Sequence, residues 1–115
     1  MPREDSAFLL DMLLAARDAL SFTEGMSFDE FARDRRTQLS VLKSVEIVGE
    51  AAAHVSEDTR TVHPAIPWRE IVGMRNHLVH AYFDVDLPLV WDTVLNDLPD
   101  LITRLEPLVP PEAGM

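Results

Sequence analysis

Side chains suited to phosphate chemistry are concentrated in one stretch, Gly73 to Asp86, which reads GMRNHLVHAYFDVD. The stretch contains Arg75, Asn76, His80 and Tyr82. A His side chain can give and take protons near neutral pH, and an Arg stays protonated and holds a phosphate through a forked pair of hydrogen bonds. An Asn can fix the tautomer of a His or hold a substrate oxygen. These residue types suit the cleavage of a phosphodiester.

Cleavage of RNA without a metal ion needs a base for the 2′-hydroxyl, positive charge beside the phosphorane and an acid for the leaving oxygen. On one continuous helix, Arg75 and His80 would project about 140° apart, whereas Arg75 and Tyr82 would be about 20° apart. Asn76 and His80 would form an i, i+4 pair. Arg75 and His80 could therefore cooperate if the long Arg side chain reached round, if the helix ended near His80, or if a second subunit completed the site. Two copies of His80 across a dimer could then divide the acid and base roles.

Other roles for these residues are consistent with the spacing alone. An Arg and a His on a helix can form a surface ion pair or satisfied polar groups in a core. His77 and His80 have the i, i+3 spacing of a zinc-binding pair, but His54 and His63 lie in other segments and no third ligand is apparent. Tyr82 could simply be a packing residue at the end of a helix.

The charge of the chain limits the ways in which it could bind nucleic acid. Its 115 residues include 10 Lys and Arg against 20 Asp and Glu, which gives a formal net charge of −10. This balance argues against a broad phosphate-binding surface. The charge is uneven, however, because the range 33–43 contains Arg33, Arg35, Arg36 and Lys43 against the single acid Asp34. A local basic site is therefore compatible with the net negative charge of the chain.

The amino-acid composition excludes several classes of protein and of functional site. The chain has no cysteine, which excludes disulfides, thiolate catalysis and Cys-based zinc sites. The N-terminal segment lacks the basic region and cleavage site of a signal peptide, and no stretch approaches the roughly 20 apolar residues of a membrane span. We therefore expect a soluble, cytoplasmic protein. Its length predicts one domain with a single core over residues 1–106, followed by a flexible Pro-rich tail over 107–115.

Apolar periodicity predicts an all-α antiparallel bundle of four main helices plus a short helix. The main helices are expected over about 6–22, 36–55, 68 to 80 or 82, and 87–105. The short helix opens at a capping box, Ser27–Glu30, and runs through Phe31 to about Asp34. A loop is predicted over 59–67.

Single residues refine these helices. Asp5 or Ser6 is expected to cap the first helix, Pro67 to occupy the first position of the third main helix, and Pro99 to kink the last one. The small residues from Gly49 onwards predict a close approach by another helix. The predicted core side of the first helix consists of Phe8, Leu9, Met12, Leu13, Ala16 and Leu20, and that of the last helix of Trp91, Val94, Leu95, Leu98, Leu101, Ile102 and Leu105.

The segment IPWREIVGMRNHLVHAY, residues 66–82, closely resembles the HepT-like family of HEPN-domain ribonuclease toxins. The upstream words VEIVGEAA (45–52) and the downstream pairs VD (85–86) and VW (90–91) also resemble that family, so the likeness extends from residue 5 to about 105. It departs from the usual pattern at His77 and Ala81. The resemblance implies a HEPN bundle that forms a homodimer with the motif helices near the two-fold axis. It also implies a ribonuclease toxin of a type II toxin–antitoxin pair, acting on RNA without a cofactor.

Roles for individual residues follow from the resemblance. It implies that Arg75 and His80 are the catalytic pair, aided by Asn76. It also implies that Tyr82 accepts AMP from an MntA-type nucleotidyltransferase antitoxin. A bulky anion two residues from His80 would repel RNA phosphate and block access. One alternative is a non-catalytic HEPN binding module that docks a nucleotidyltransferase or a nucleotide. Another is a structural helical dimer in which Arg75 and His80 form interface hydrogen bonds.

Overall fold

The computed structural model describes residues 3–81 and 84–110, except for the side chains of Arg3, His80 and Ala81. The described elements are, in chain order, α1 (Arg3–Thr23), α2 (Phe28–Arg33), α3 (Arg35–His54), α4 (Glu57–Val62), α5 (Trp68–Val72), α6 (Met74–Leu78), β1 (Val79–Ala81), β2 (Asp84–Val85), α7 (Leu87–Asp92), a π-helical segment (Thr93–Asp97), α8 (Leu98–Leu105) and a 3₁₀ turn (Glu106–Leu108). The predicted all-α fold is confirmed. A two-stranded hairpin and the helix α4 were not predicted.

The two long helices α1 and α3 pack antiparallel and form the centre of the core. The Phe8 ring near the start of α1 stacks on the His54 ring at the end of α3, with 5.1 Å between ring centroids. The predicted stripe of α1 faces the core, since Leu9, Met12 and Ala16 are fully buried. Leu14 lies off this stripe and is 42% exposed. The 3.6-residue period therefore identified the buried side of α1 correctly.

Asp5 lies inside α1 and caps a different helix from the one predicted. Its carboxylate is 2% exposed and accepts hydrogen bonds from the Ser56 backbone N–H at 2.9 Å, the Ser56 hydroxyl at 2.6 Å and the Thr59 hydroxyl. Ser56 is the N-cap of α4, and its hydroxyl also accepts from the Thr59 backbone N–H. The predicted loop over 59–67 was therefore wrong in its first part, because the Ser56 cap starts a helix there. Asp5 joins that cap to the start of α1.

Two predicted local signals are confirmed. Ser27 and Glu30 form a reciprocal capping box, with the Ser27 backbone N–H donating to Glu30 at 2.9 Å and the Glu30 backbone N–H donating to Ser27 at 3.1 Å. Gly49 of α3 lies against the end of α5. A Cβ added there would be 3.2 Å from the Ile71 carbonyl oxygen and 3.4 Å from the Val72 carbonyl oxygen. The absence of a side chain at Gly49 therefore sets how closely α5 approaches α3.

The predicted last helix is interrupted, as expected at Pro99, but the interruption is a π-helical segment. Its i→i+5 hydrogen bond runs from the Leu98 backbone N–H to the Thr93 carbonyl. Pro99 lacks the N–H that a regular helix would direct to the Leu95 carbonyl, so the ladder widens just before it. The inserted residue rotates the helix surface, and Leu95 is 54% exposed. The prediction that Leu95 is buried was therefore wrong, whereas Val94 and Leu98 are buried as predicted.

The residues at the C-terminal end of the described chain stay close to the core. The tail predicted from Pro107 onwards begins within the 3₁₀ turn at Glu106–Leu108, and Val109 is 8% exposed. No helix in the described ranges is long and apolar enough to cross a membrane.

Candidate active site

The predicted third main helix is divided at Gly73 into α5 and α6. Pro67 is the N-cap of α5 and so lies one position before the predicted one. Gly73 ends α5 through a backbone hydrogen bond to the Arg69 carbonyl at 3.1 Å, and its own carbonyl accepts from the His77 N–H at 3.2 Å. With φ −89° and ψ 0°, Gly73 is only slightly displaced from helical geometry. The chain therefore continues into α6 in nearly the same direction but with a local break.

Helix α6 ends at Leu78, earlier than predicted. The Val79 N–H still donates to the Arg75 carbonyl, but Val79 itself is extended, with φ −121° and ψ 105°. Leu78 is fully buried and its carbonyl accepts from the Asp86 N–H at 2.9 Å. A buried anchor and a long-range backbone bond thus hold the point where the helix becomes a strand. One of the possibilities raised by the sequence, that the helix ends near His80, is confirmed.

The hairpin after α6 contains an irregularity at His80. Val79 pairs with Val85 and Ala81 pairs with Asp84, so two steps on β1 match one step on β2. The backbone of His80 is therefore the extra residue of a β-bulge. Bulges change the direction in which side chains leave a strand and are common beside active sites. The side chain of His80 lies outside the described part of the structure.

The end of α6 at Leu78 overturns the helical relationships drawn from the sequence. Asn76 and His80 are not an i, i+4 pair on one helix, and the projection that placed Arg75 beside Tyr82 does not apply. Tyr82 itself lies outside the described residues. Arg75 and His80 are instead linked through the backbone. The Val79 N–H donates to the Arg75 carbonyl, and His80 follows Val79 directly.

The guanidinium of Arg75 is open to solvent. Arg75 and Asn76 are both exposed, and the Arg75 Nη1 donates to the Asn76 Oδ1 at 3.4 Å, which is a long contact. The ion pairs among the described residues join Arg17 to Glu106, Lys43 to Glu46 and Arg104 to Asp100, and none of them uses Arg75. An exposed, unpaired guanidinium beside an amide can accept a phosphate without first breaking an ion pair.

A groove of about 600 Å³ lies between the α5–α6 pair and the last helical stretch. Its apolar walls include Ile71 and Met74, and its polar groups are Glu70, Thr93, His77, Asp97 and Asp100. The complete lining is Pro67, Glu70, Ile71, Gly73, Met74, His77, Leu89, Thr93, Asp97, Asp100 and Leu101. Neither Arg75 nor Asn76 belongs to it, so consecutive residues of α6 serve two different surfaces.

The groove is electrostatically opposite to Arg75. Burial raises the pKa of Asp97 above its ordinary value, and the nearby charges of Asp92 and Asp100 raise it further. The part of the shift that comes from Asp92 and Asp100 reflects the negative potential of these neighbouring carboxylates at Asp97. The groove was not predicted from the sequence. The excess of acids after residue 83 was its only visible signal, because the π-helical segment that brings Asp97 and Asp100 to this surface was not predicted.

His77 lines the groove rather than the surface that carries Arg75. Among residues 3–81 and 84–110, as far as their side chains are described, no group of three His, Asp or Glu side chains could hold a metal ion.

The chain was compared with known proteins. The family model for ribonuclease HepT-like proteins matches residues 12–108. The chain belongs to the ribonuclease HepT-like family. It is 40% identical over 108 residues to a protein of Thermococcus cleftensis named as a probable ribonuclease HepT, covering 94% of this chain and 98% of that protein.

Two proteins of Methanocaldococcus jannaschii are also similar. One is named as a candidate RNase, MJ0127, and is 38% identical over 110 residues, covering 95% of this chain and 91% of that protein. The other, the candidate RNase MJ1380, is 38% identical over 104 residues, covering 90% of this chain and 95% of that protein. No solved structure matches this HepT-like chain. The match to nearly the full length of these relatives confirms the family that the segment 66–82 had indicated.

Proposed function

We propose that this HepT-like protein is a metal-independent ribonuclease in which Arg75 and His80 carry the chemistry. The proposal rests on the exposed Arg75 guanidinium, which takes part in none of the ion pairs of the described residues and lies on a helix that ends just before the bulge residue His80. The names of the relatives as ribonucleases support the same activity.

The proposed reaction is an in-line displacement at phosphorus. His80 removes the proton of a ribose 2′-hydroxyl, the O2′–P bond forms and the P–O5′ bond breaks. The products are a 2′,3′-cyclic phosphate and a 5′-hydroxyl, so the leaving oxygen must receive a proton. Arg75 stabilises the negative charge of the phosphorane by forked hydrogen bonds, and Asn76 holds a phosphate or ribose oxygen. The protonating acid is a second His80, supplied by the partner in a homodimer.

Regulation by a partner protein is part of the proposal. In a toxin–antitoxin pair, an MntA-type nucleotidyltransferase would transfer AMP from ATP to the Tyr82 hydroxyl and release pyrophosphate. The phenolic oxygen would then carry a phosphodiester with one negative charge, close in sequence to His80. Its charge and bulk would oppose the entry of an RNA phosphate.

The test is expression of the chain without any partner, with matched variants. Wild type should arrest growth and fragment bulk RNA, whereas His80→Ala and Arg75→Ala should do neither. His77→Ala and Arg69→Ala are the controls, because they remove the same residue types from neighbouring positions and should retain toxicity. Circular dichroism would establish that all five proteins fold, and intact mass would establish that Tyr82 is unmodified. Harmless expression of folded, unmodified wild type would exclude the ribonuclease toxin and favour a non-catalytic binding module.

A further inference from the structure

The cluster Arg33, Arg35 and Arg36, called here the arginine cluster, lies where α2 ends and α3 begins. All three side chains are exposed. None takes part in the ion pairs of the described residues, although Arg17, Lys43 and Arg104 each have a carboxylate partner at 2.8, 3.3 and 3.0 Å respectively. In a chain of net charge −10, three neighbouring arginines without ion-pair partners are an unusual concentration of positive potential.

The one acid within the cluster is used elsewhere. The Asp34 carboxylate caps α3 by accepting from the Thr37 backbone N–H at 3.1 Å. This backbone hydrogen bond, a weaker side-chain contribution from Thr37 and the charge of Arg36 lower the pKa of Asp34. Asp34 therefore stays ionised and fixes the position of the cluster on a rigid helix start, but it neutralises at most one of the three charges.

The position of the cluster relative to Arg75 suits a single strand. Gly49 of α3 lies against the carbonyl groups of Ile71 and Val72, the last two residues of α5. Arg36 lies thirteen residues before Gly49 on α3, a distance of about 20 Å along the helix axis. At a stacked rise of about 3.4 Å per nucleotide, this corresponds to about six nucleotides of one strand. Arg75 lies three residues beyond Val72, so an extended strand of about twelve nucleotides, about 40 Å long, is long enough to span both sites.

We propose that the arginine cluster is an RNA-docking surface, remote from the cleavage site, that binds the phosphates of single-stranded RNA. This inference rests on the proposed ribonuclease function. The acids of the groove, Asp97 and Asp100, disfavour phosphate on that side of α6, whereas the cluster and Arg75 attract it. Binding at this surface is expected to be independent of the RNA base sequence, because arginine contacts to phosphate do not read the bases.

The experiment measures binding of a fluorescent single-stranded RNA of about twelve nucleotides with 2′-O-methyl groups, which cannot form the cyclic phosphate. Anisotropy titrations over a series of KCl concentrations would compare wild type with two triple variants. The cluster variant is Arg33→Gln, Arg35→Gln and Arg36→Gln. The control is Arg17→Gln, Lys43→Gln and Arg104→Gln, which removes the same charge from exposed sites whose side chains are already paired. Thermal melts would establish that each variant folds, and Arg→Lys at the three cluster positions would retain the charge if Gln impaired folding.

The cluster variant should bind the RNA at least tenfold more weakly than the control at moderate salt. Its plot of log affinity against log salt should be shallower by about 2, since each lost phosphate contact on a single strand contributes about 0.7 to the slope. Equal weakening of both triple variants would reduce the effect to net charge and overturn the proposal. Absence of measurable binding by wild type would also overturn it.

Two further measurements distinguish failure of the RNA-docking surface from failure of the ribonuclease function. Cleavage of unmodified RNA by wild type tests the ribonuclease function, so a protein that cleaves RNA but binds it equally well without the cluster would refute only the docking surface. Polyglutamate of matched charge serves as a protein-like polyanion. If the cluster variant lost binding to polyglutamate and kept binding to RNA, the surface would belong to an acidic protein partner and the RNA assignment would be wrong.

Discussion

At the scale of single residues, we expect the forked geometry of the Arg75 guanidinium to matter more for RNA cleavage than its charge alone. Its guanidinium is exposed and takes part in none of the ion pairs of the described residues, and a phosphate could displace its long 3.4 Å contact with Asn76 to form the forked pair of hydrogen bonds. We expect Arg75→Lys, which keeps the charge but loses the fork, to lower kcat/KM for RNA cleavage by about 10- to 100-fold. Arg69→Lys, on the adjacent helix α5, should leave kcat/KM unchanged. A fully active Arg75→Lys enzyme would mean that Arg75 acts as a point charge and does not grip phosphate.

Asp5 makes a residue-scale contribution to stability that depends on pH. Burial alone would raise the pKa of Asp5, but hydrogen bonds from Ser56 and Thr59 stabilise the carboxylate and hold its pKa below the ordinary value. A lowered pKa in the folded state means that the stabilisation is fully present above the ordinary pKa of an Asp. It is lost as the pH falls through the lower, folded-state pKa.

We therefore expect Asp5→Asn to lower the free energy of unfolding at neutral pH by about 1–3 kcal/mol, because it weakens a buried hydrogen-bonded group. The loss should shrink as the pH is taken below the ordinary pKa of an Asp. Urea unfolding of wild type and Asp5→Asn over a pH series would measure it, with the exposed neighbour Glu4→Gln as control. A difference that stayed constant into strong acid would show that the charge of Asp5 has no part in the stabilisation.

At the scale of elements, the approach of α5 to α3 depends on Gly49. A methyl group there would meet the Ile71 carbonyl oxygen at 3.2 Å, whereas a methyl group at Gly73 would meet the Arg69 carbonyl oxygen at 3.6 Å. Gly49 lies inside α3, so the helix propensity gained by Ala there acts against the packing cost, whereas Gly73 lies at the break between α5 and α6. Gly49→Ala should therefore be less stable than Gly73→Ala by about 1–3 kcal/mol, the usual cost of overpacking. Chemical denaturation of the two variants would measure the difference, and equal stabilities would mean that α5 can shift at no cost.

The elements also separate what the sequence predicts from what it does not. Local chemistry was sufficient for the capping box at Ser27 and the close approach at Gly49. The cap at Ser56 was overlooked although one of its hydrogen bonds, from the Thr59 backbone N–H, is local. Its other partner, Asp5, is distant in sequence and comes into contact only through the packing of α1 on α3. The exposure of Leu95 follows from a π-helical segment, and a regular 3.6-residue period cannot represent an inserted residue.

The candidate site likewise has features that the sequence predicts and features that it does not. The catalytic roles of Arg75, Asn76 and His80 stay predictions, but the suitability of these residue types for phosphodiester chemistry was recognisable from the sequence. Their arrangement was not, since periodicity extended the helix past Leu78, where a buried side chain and a backbone bond from Asp86 impose an extended chain. The bulge at His80 depends on strand pairing, which no single-segment pattern encodes.

At the scale of the whole molecule, the charge is arranged so that an acidic protein can act on an anionic substrate. The net charge of −10 lowers the affinity for RNA at every surface that lacks local cations. Arg75 and the arginine cluster are such local cations, while the groove with Asp97 and Asp100 presents the opposite sign. This distribution favours contact with RNA at a few defined points over coating of the strand, and it leaves the groove face to uncharged or cationic partners.

The proposed division of acid and base roles between two copies of His80 makes a prediction about the assembled dimer. If both copies are required, subunits exchanged between wild type and His80→Ala should give active dimers in proportion to the square of the wild-type fraction. An equal mixture would then retain about a quarter of the activity of an undiluted sample, whereas independent sites would retain about half. The mixture is made by co-refolding, and cleavage of a fluorogenic RNA is measured at constant total protein. Mixing with His77→Ala, whose residue lines the groove, should leave the activity unchanged. Linear dependence on the wild-type fraction would place a complete acid and base within each protomer, and the second proton donor would then have to be found within the same chain.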